Sequence, residues 1–263
     1  MTTTAPADVA RTHRPGPHAW AALVAAESRM VVRDTAGLVV PLGLPLLILV
    51  MYGIGQAEDE TIAGTGGRTV FDLYVLPLVL TIVIATIGVV NMPSFLSSYR
   101  RSGVLRRLSV TPASPAMVLV AQVVVSALQT VVGITLALVV ATTAFGAHLP
   151  ARPWQALGVL VLAAAAMYAV GMVVAAVAPT PNSSLAIGLV LFFAFGATGG
   201  MFGGTQNLPA AVQTVGEALP FGAAVQAVGA AWVGRPVEVS HVVALVAAVV
   251  VGGLISARNF RWD

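Results

Sequence analysis

Few side chains in this chain can do covalent chemistry. Its four histidines, His13, His18, His148 and His241, stand without metal-ligand spacing. Cysteine is absent, so there is neither a disulfide framework nor a thiolate nucleophile. All thirteen basic residues are arginine. Without a lysine, no Walker-type phosphate loop can be completed, and the chain cannot hydrolyse ATP in that way. No G-x-S-x-G elbow occurs, and no apolar run encloses a pair of carboxylates. What remains is recognition chemistry, in two groups of residues. Arg100, Arg101, Arg106 and Arg107 crowd one short polar loop, where they can meet acidic groups or an anionic lipid surface. Gln122, Ser126, Gln129 and Thr130 recur at helical spacing inside an apolar run. There they either line a translocation path or bond one helix to another.

The elements that must position these residues are membrane spans. Hydrophobic residues make up 58% of the chain and charged ones only 9%, and the mean hydropathy is +0.93. A soluble domain carries roughly 25% charge, so the polar surface it would need is missing here. The fold expected is all-α and integral to the membrane. A span needs roughly 20 apolar residues, and the uncharged runs place six of them at about 37–56, 73–96, 117–145, 154–178, 184–202 and 239–257. The first is read as a retained span, because no cleavage site follows it. None of the six cores holds an unambiguous Asp, Glu, Lys or Arg, with Asp72 at the margin of the second. That argues against proton or sodium coupling.

Two segments outside the spans stand out. His18–Arg33 is amphipathic, with Trp20, Leu23, Val24, Met30 and Val31 as its apolar stripe and Glu27, Arg29 and Arg33 elsewhere. It reads either as a helix lying in the interface or as an extension of the first span. Gly203–Glu238 is apolar, interrupted by Pro209 and Pro220 and too short to cross twice, so a re-entrant or interfacial segment is expected.

Arginine asymmetry gives the orientation. With the N-terminus inside, Arg11, Arg14, Arg29, Arg33, Arg100, Arg101, Arg106, Arg107, Arg258 and Arg261 face the cytoplasm, ten against three, and only Arg68, Arg152 and Arg235 lie outside. The acidic run Glu58–Glu60 then falls outside as well. Topology explains the basic excess without nucleic acid. Residues 1–17 are expected to form a disordered cytoplasmic N-terminus and 258–263 a cytoplasmic tail. The Ala-, Val- and arginine-rich composition suggests a GC-rich bacterial gene, and hence a bacterial cytoplasmic membrane.

The loop Gly103-Val-Leu-Arg-Arg-Leu-Ser-Val-Thr-Pro-Ala-Ser-Pro115 resembles the signature loop of type 2 ABC transporter permeases, Gly-Thr-Leu-x-x-Leu-x-Val-x-Pro-x-Ser-Pro. The Pro-Asn-Ser break at 181–183, the glycine-rich stretch 196–204, Leu208-Pro209, Leu219-Pro220 and Trp232-x-Gly234 resemble the same family, over about residues 20–257. The family often carries acidic residues ahead of the loop glycine, where this chain has Ser97, Ser98, Tyr99 and Arg100.

The resemblance implies a permease domain over 18–257 with an interfacial helix, six spans, a cytoplasmic coupling helix and re-entrant helices before the last span. It also implies that Arg100, Arg101, Gly103, Leu105, Arg106, Arg107, Leu108 and Pro112 couple the domain to ABC ATPase subunits. ATP and magnesium would bind those subunits, so no cofactor is expected on this chain. A second permease copy or a paralogue would complete the assembly in the lipid bilayer. The implied function is export of a hydrophobic or amphipathic cargo (a lipid, glycolipid or drug-like molecule) from the cytoplasm or inner leaflet. An ion-coupled secondary carrier and a non-transporting membrane anchor stand as the alternatives. Glycine pairs such as Gly196/Gly200 fit either local packing or a dimer seam.

Overall fold

The structure, a computed structural model, describes residues 16–55, 61–101 and 115–259. The acidic run at 58–60 and most of the arginine loop (Gly103, Leu105, Arg106, Arg107, Leu108 and Pro112) lie outside the described residues. Nine helices follow one another among those residues: α1 Pro17–Arg33, α2 Thr35–Gly55, α3 Phe71–Arg101, α4 Pro115–Phe145, α5 Pro153–Val177, α6 Pro181–Thr198, α7 Ala210–Ala218, α8 Pro220–Trp232 and α9 Val239–Asn259. The described residues contain no strand, only an isolated bridge between Thr61 and Thr69. Six helices, α2 to α6 and α9, are long and apolar enough to cross a bilayer, so the chain is a multi-pass membrane protein.

Proline sets many of the helix starts. Pro17, Pro153, Pro181 and Pro220 each occupy the first turn of a helix, where the missing N–H is no loss and the fixed φ suits the helix. At α6 the Thr180 hydroxyl completes the start by accepting from the Ser183 N–H at 3.1 Å. That cap moves the fifth span about one turn ahead of the expected 184–202.

The centre of the bundle is α3, whose stretch Leu76–Ala85 is buried on every side. A helix apolar all round belongs in a core. Two of its turns are π-helical: the Leu76 N–H reaches back to the Phe71 carbonyl and the Met92 N–H to the Ile87 carbonyl. The second such turn is pressed by glycines of two neighbours. A Cβ on Gly171 of α5 would lie 1.9 Å from the Gly88 carbonyl oxygen, and one on Gly188 of α6 2.5 Å from that of Val89. Backbone meets backbone at both places, which only glycine permits.

Between α6 and α9 the expected irregular segment is two helices, α7 and α8. At 9 and 13 residues, each is too short to span the hydrocarbon. Every residue of α8 except Gln226 and Ala230 is buried. The glycine-rich stretch before them is a local turn, with positive φ at Gly200, Gly203 and Gly204 and with Gly199 packed on Phe221.

One expectation for α1 is corrected. Glu27 lies within the buried stripe, while Met30 is 44% exposed. Position 27 is four residues from both Leu23 and Val31, so the helical period places it on the packed face. A partner on α3, the Tyr99 hydroxyl, makes that burial tolerable.

Candidate functional site

The prolines of α2 leave backbone carbonyls without helical donors. Pro41 has no N–H for the carbonyl of Gly37, and Pro45 has none for that of Pro41. Inside a bilayer such an acceptor must be satisfied by protein. Asn91 Nδ2 of α3 donates to the Gly37 oxygen at 2.9 Å, and Gln129 Nε2 of α4 donates to the same oxygen at 2.8 Å. Asn91 also donates to Gln129 Oε1 at 3.1 Å, closing a three-helix polar seam. Thr86 Oγ1 lies 3.5 Å from the Pro41 oxygen, a weak contact at best.

Beside this seam, α2, α3 and α6 line a cavity of about 420 Å³, a size suited to a small organic ligand. Its wall is graded. At the helix ends it is polar, with Asp34, Ser94, Ser98 and Asn182; further in it is Leu44, Leu189, Phe192 and Phe193. A second cavity of about 410 Å³ opens toward the other end of the same helices, between Tyr52, Tyr74, Leu78, the glycines 199–204 and Gln226 of α8. Tyr52 Oη donates to the Met201 carbonyl at 3.0 Å and accepts from the Gly203 N–H at 3.1 Å, fixing the glycine turn against α2.

That far end is tied together by a buried carboxylate. Asp72 is fully buried in the first turn of α3. Its oxygens accept from the His148 N–H and from His148 Nδ1, each at 2.8 Å, and from the Thr69 N–H at 3.1 Å. The chain continues through Trp232 Nε1, which donates to the His148 carbonyl at 2.9 Å, and Arg68 Nε, which donates to the Trp232 carbonyl at 3.0 Å. Three segments distant in sequence, 68–72, His148 and Trp232, thereby share one network.

At the arginine-rich end, Arg100 donates to the carbonyls of Ala176 and Ala178. A cation there also complements the negative end of the α5 dipole. Arg101 is exposed beside it, on a groove with Thr180 and Asn259. One residue earlier on α3, the Tyr99 hydroxyl donates to Glu27 of α1. Burial raises the Glu27 carboxyl above the usual glutamate range, and the Tyr99 hydrogen bond offsets part of that.

The polar residues singled out in the third span all point inward. Gln122, Ser126, Gln129 and Thr130 are buried, and neither cavity is lined by any of them. Gln129 bonds α2 and α3 as above, and the Thr130 hydroxyl lies 2.7 Å from Tyr168 Oη of α5. Among the described residues, Gln122 Oε1 has no hydrogen-bond partner. Sequence reasoning passed over Asn91 and Asp34. The first carried a readable signal, a lone amide within an otherwise apolar run, and the second none, since an aspartate before a span looks like an ordinary boundary.

Six apolar helices around a buried polar seam, with a graded cavity beside it, define a multi-pass membrane protein. The chain matches the family model of the ABC-2 type transporter over residues 18–231, and so belongs to that family. It is the membrane-embedded permease component of an ABC transporter, a kind of domain that assembles with ATPase subunits and is generally not itself catalytic. No curated protein matches it significantly.

Proposed function

We propose that the chain is the permease of an ATP-driven exporter, with the cavity between α2, α3 and α6 as the place where cargo is first held. The observation that carries this is the graded wall: polar groups at the arginine-rich end and leucine and phenylalanine deeper in. An amphiphile can enter such a site from an inner leaflet with its head at the mouth and its tail inside. The second cavity lies toward the opposite end of α2 and α3, walled there by the glycine turn after α6 and by α8, where a cargo passed along this face would arrive.

The arginine count supports placing both termini and the arginine-rich end in the cytoplasm; with cargo first held at that end, the direction we propose is outward. In that frame α1 lies at the inner surface, α7 and α8 re-enter from the outer one, and the Asp72–His148 network closes the outer end. ATP would be hydrolysed on partner subunits that bear on the loop from Arg100 to Pro112, and two permease copies or paralogues would form the pathway. The bacterial cytoplasmic membrane is the setting that the composition favours.

The test is co-purification from native membranes followed by reconstitution. An ABC ATPase should accompany the chain, and the pair should move a fluorescent lipid or dye between vesicle compartments only when ATP is supplied. Movement driven by an ion gradient without ATP would support a secondary carrier instead.

A further inference from the structure

Among the described residues, the cavity between α2, α3 and α6 carries one charge, because Asp34 is the only ionisable residue of those lining it. Among the described residues, the nearby arginines border other surfaces: Arg29 and Arg33 a groove on α1 with Ser28 and Val32, and Arg100 and Arg101 the groove beside Thr180 and Asn259. Asp34 Oδ1 accepts the Gly37 N–H at 3.1 Å. Among the described residues, no hydrogen bond or ion pair engages Oδ2. A carboxylate at the mouth of an otherwise neutral cavity holds a negative potential there, strengthened by the low-dielectric wall behind it.

The rest of the wall fits the same ligand. Asn182, Ser94 and Ser98 supply neutral polar groups around the mouth, and Phe95 offers an aromatic ring beside Gly37. Ring faces attract cations and give anions nothing. From Asn182 to Phe193 the wall runs eleven residues along α6, roughly 16 Å at the helical rise. That suits a head group followed by a short apolar body.

We propose that this cavity selects amphiphiles whose head is a cation, such as a tertiary or quaternary ammonium, with Asp34 as the counter-charge. The inference rests on the reading of the cavity as the cargo site and adds the sign of the cargo's charge. A structural role for Asp34 also exists, because its Oδ1 caps α2. Asparagine caps helices about as well as aspartate, so Asp34→Asn keeps that role and removes only the charge.

The experiment uses the full-length chain in a neutral detergent with two probes of the same shape and opposite charge, tetraphenylphosphonium and tetraphenylborate. Binding is measured by equilibrium dialysis against protein-free micelles. The wild type should bind the phosphonium at least about ten-fold more tightly than the borate, a modest demand on a charge pair about 4 Å apart near a protein surface. Asp34→Asn should lose about that factor for the phosphonium and nothing for the borate. Leu189→Trp, which fills the apolar end, should weaken both.

If the two probes bind equally, or the preference survives in Asp34→Asn, the charge assignment is wrong while the cavity stands. If neither probe binds the wild type, the cargo-site reading falls together with it.

Discussion

The Gly37 carbonyl and the Gln129 amide, 92 residues apart in sequence, meet at 2.8 Å because Pro41 cannot supply the donor that a helix would normally place there. Asn91 gives the same oxygen a second donor. Removing either side chain alone should therefore cost little, about 1 kcal/mol or less, since one donor stays. The double variant Asn91→Leu/Gln129→Leu leaves a buried carbonyl unpaired and should cost about 2–3 kcal/mol. Adding Pro41→Ala restores a backbone N–H and should return at least about 1 kcal/mol of that. Unfolding in mixed micelles reads all four proteins. Equal costs with and without Pro41 would show that the seam does not answer the proline.

The glycines of α5 allow a test with an internal control. At Gly171 a Cβ would lie 1.9 Å from the Gly88 oxygen, whereas at Gly158 it would meet nothing within 4 Å. Gly171→Ala should destabilise the protein by about 2 kcal/mol or more, as overpacking of backbone against backbone does. Gly158→Ala should be neutral or stabilising by up to about 1 kcal/mol. Thermal unfolding of both variants decides it. A similar shift in both would mean that the π-helical turn of α3 yields to the added methyl group.

The contrast between these glycines marks what the sequence could and could not show. Spans, their order and their number were legible because hydropathy over some twenty residues is a strong, local signal. Pairings across the bundle were not. Asp72 looked marginal because its partner His148 stands 76 residues away, and Glu27 looked solvent-facing because Tyr99 stands 72 away. Gln129 was noticed as a polar residue, but only the freed carbonyl of Gly37 says what it bonds. The first cavity escaped notice for the same reason, since its wall is assembled from three helices of which none is polar enough to advertise it.

Glu27 should give stability a pH dependence of definite sign. Its carboxyl titrates above the ordinary glutamate range because burial disfavours the charge. The folded state thus holds the proton more tightly than the unfolded one. Stability contributed by Glu27 is complete below the unfolded pKa and is lost as pH rises through the raised folded value. Glu27→Gln keeps an acceptor for Tyr99 and cannot titrate. The melting temperature of the variant relative to wild type should accordingly climb from pH 4.5 upward. A difference that is flat with pH, or that falls, contradicts this assignment.

Orientation can be read by labelling, since the chain contains no native cysteine. Gln206 and Asn259 are both exposed, at opposite ends of the bundle. An impermeant maleimide on intact cells should label Gln206→Cys and leave Asn259→Cys untouched until the membrane is opened. The reverse pattern would invert the arginine argument and the proposed direction of transport with it.

The last prediction concerns force transmission through the arginine loop. Leu105 and Leu108 are three residues apart, so a helical loop would set them on one face, able to enter an apolar groove of an ATPase. The end of α3 that feeds this loop is already anchored, through Arg100 to the last carbonyls of α5 and through Tyr99 to Glu27 of α1. A push on the loop would reach both helices directly. Apolar burial should dominate the contact, because exposed ion pairs are each worth only about 0–1 kcal/mol. Replacing Leu105 and Leu108 by aspartate would place charge in the groove at a cost of roughly several kcal/mol. The variant should insert normally, since every arginine is kept, yet lose both ATPase co-purification and ATP-driven transport. Arg106→Ala should do less. Full association and full transport by the double aspartate variant would reduce this loop to a topological anchor.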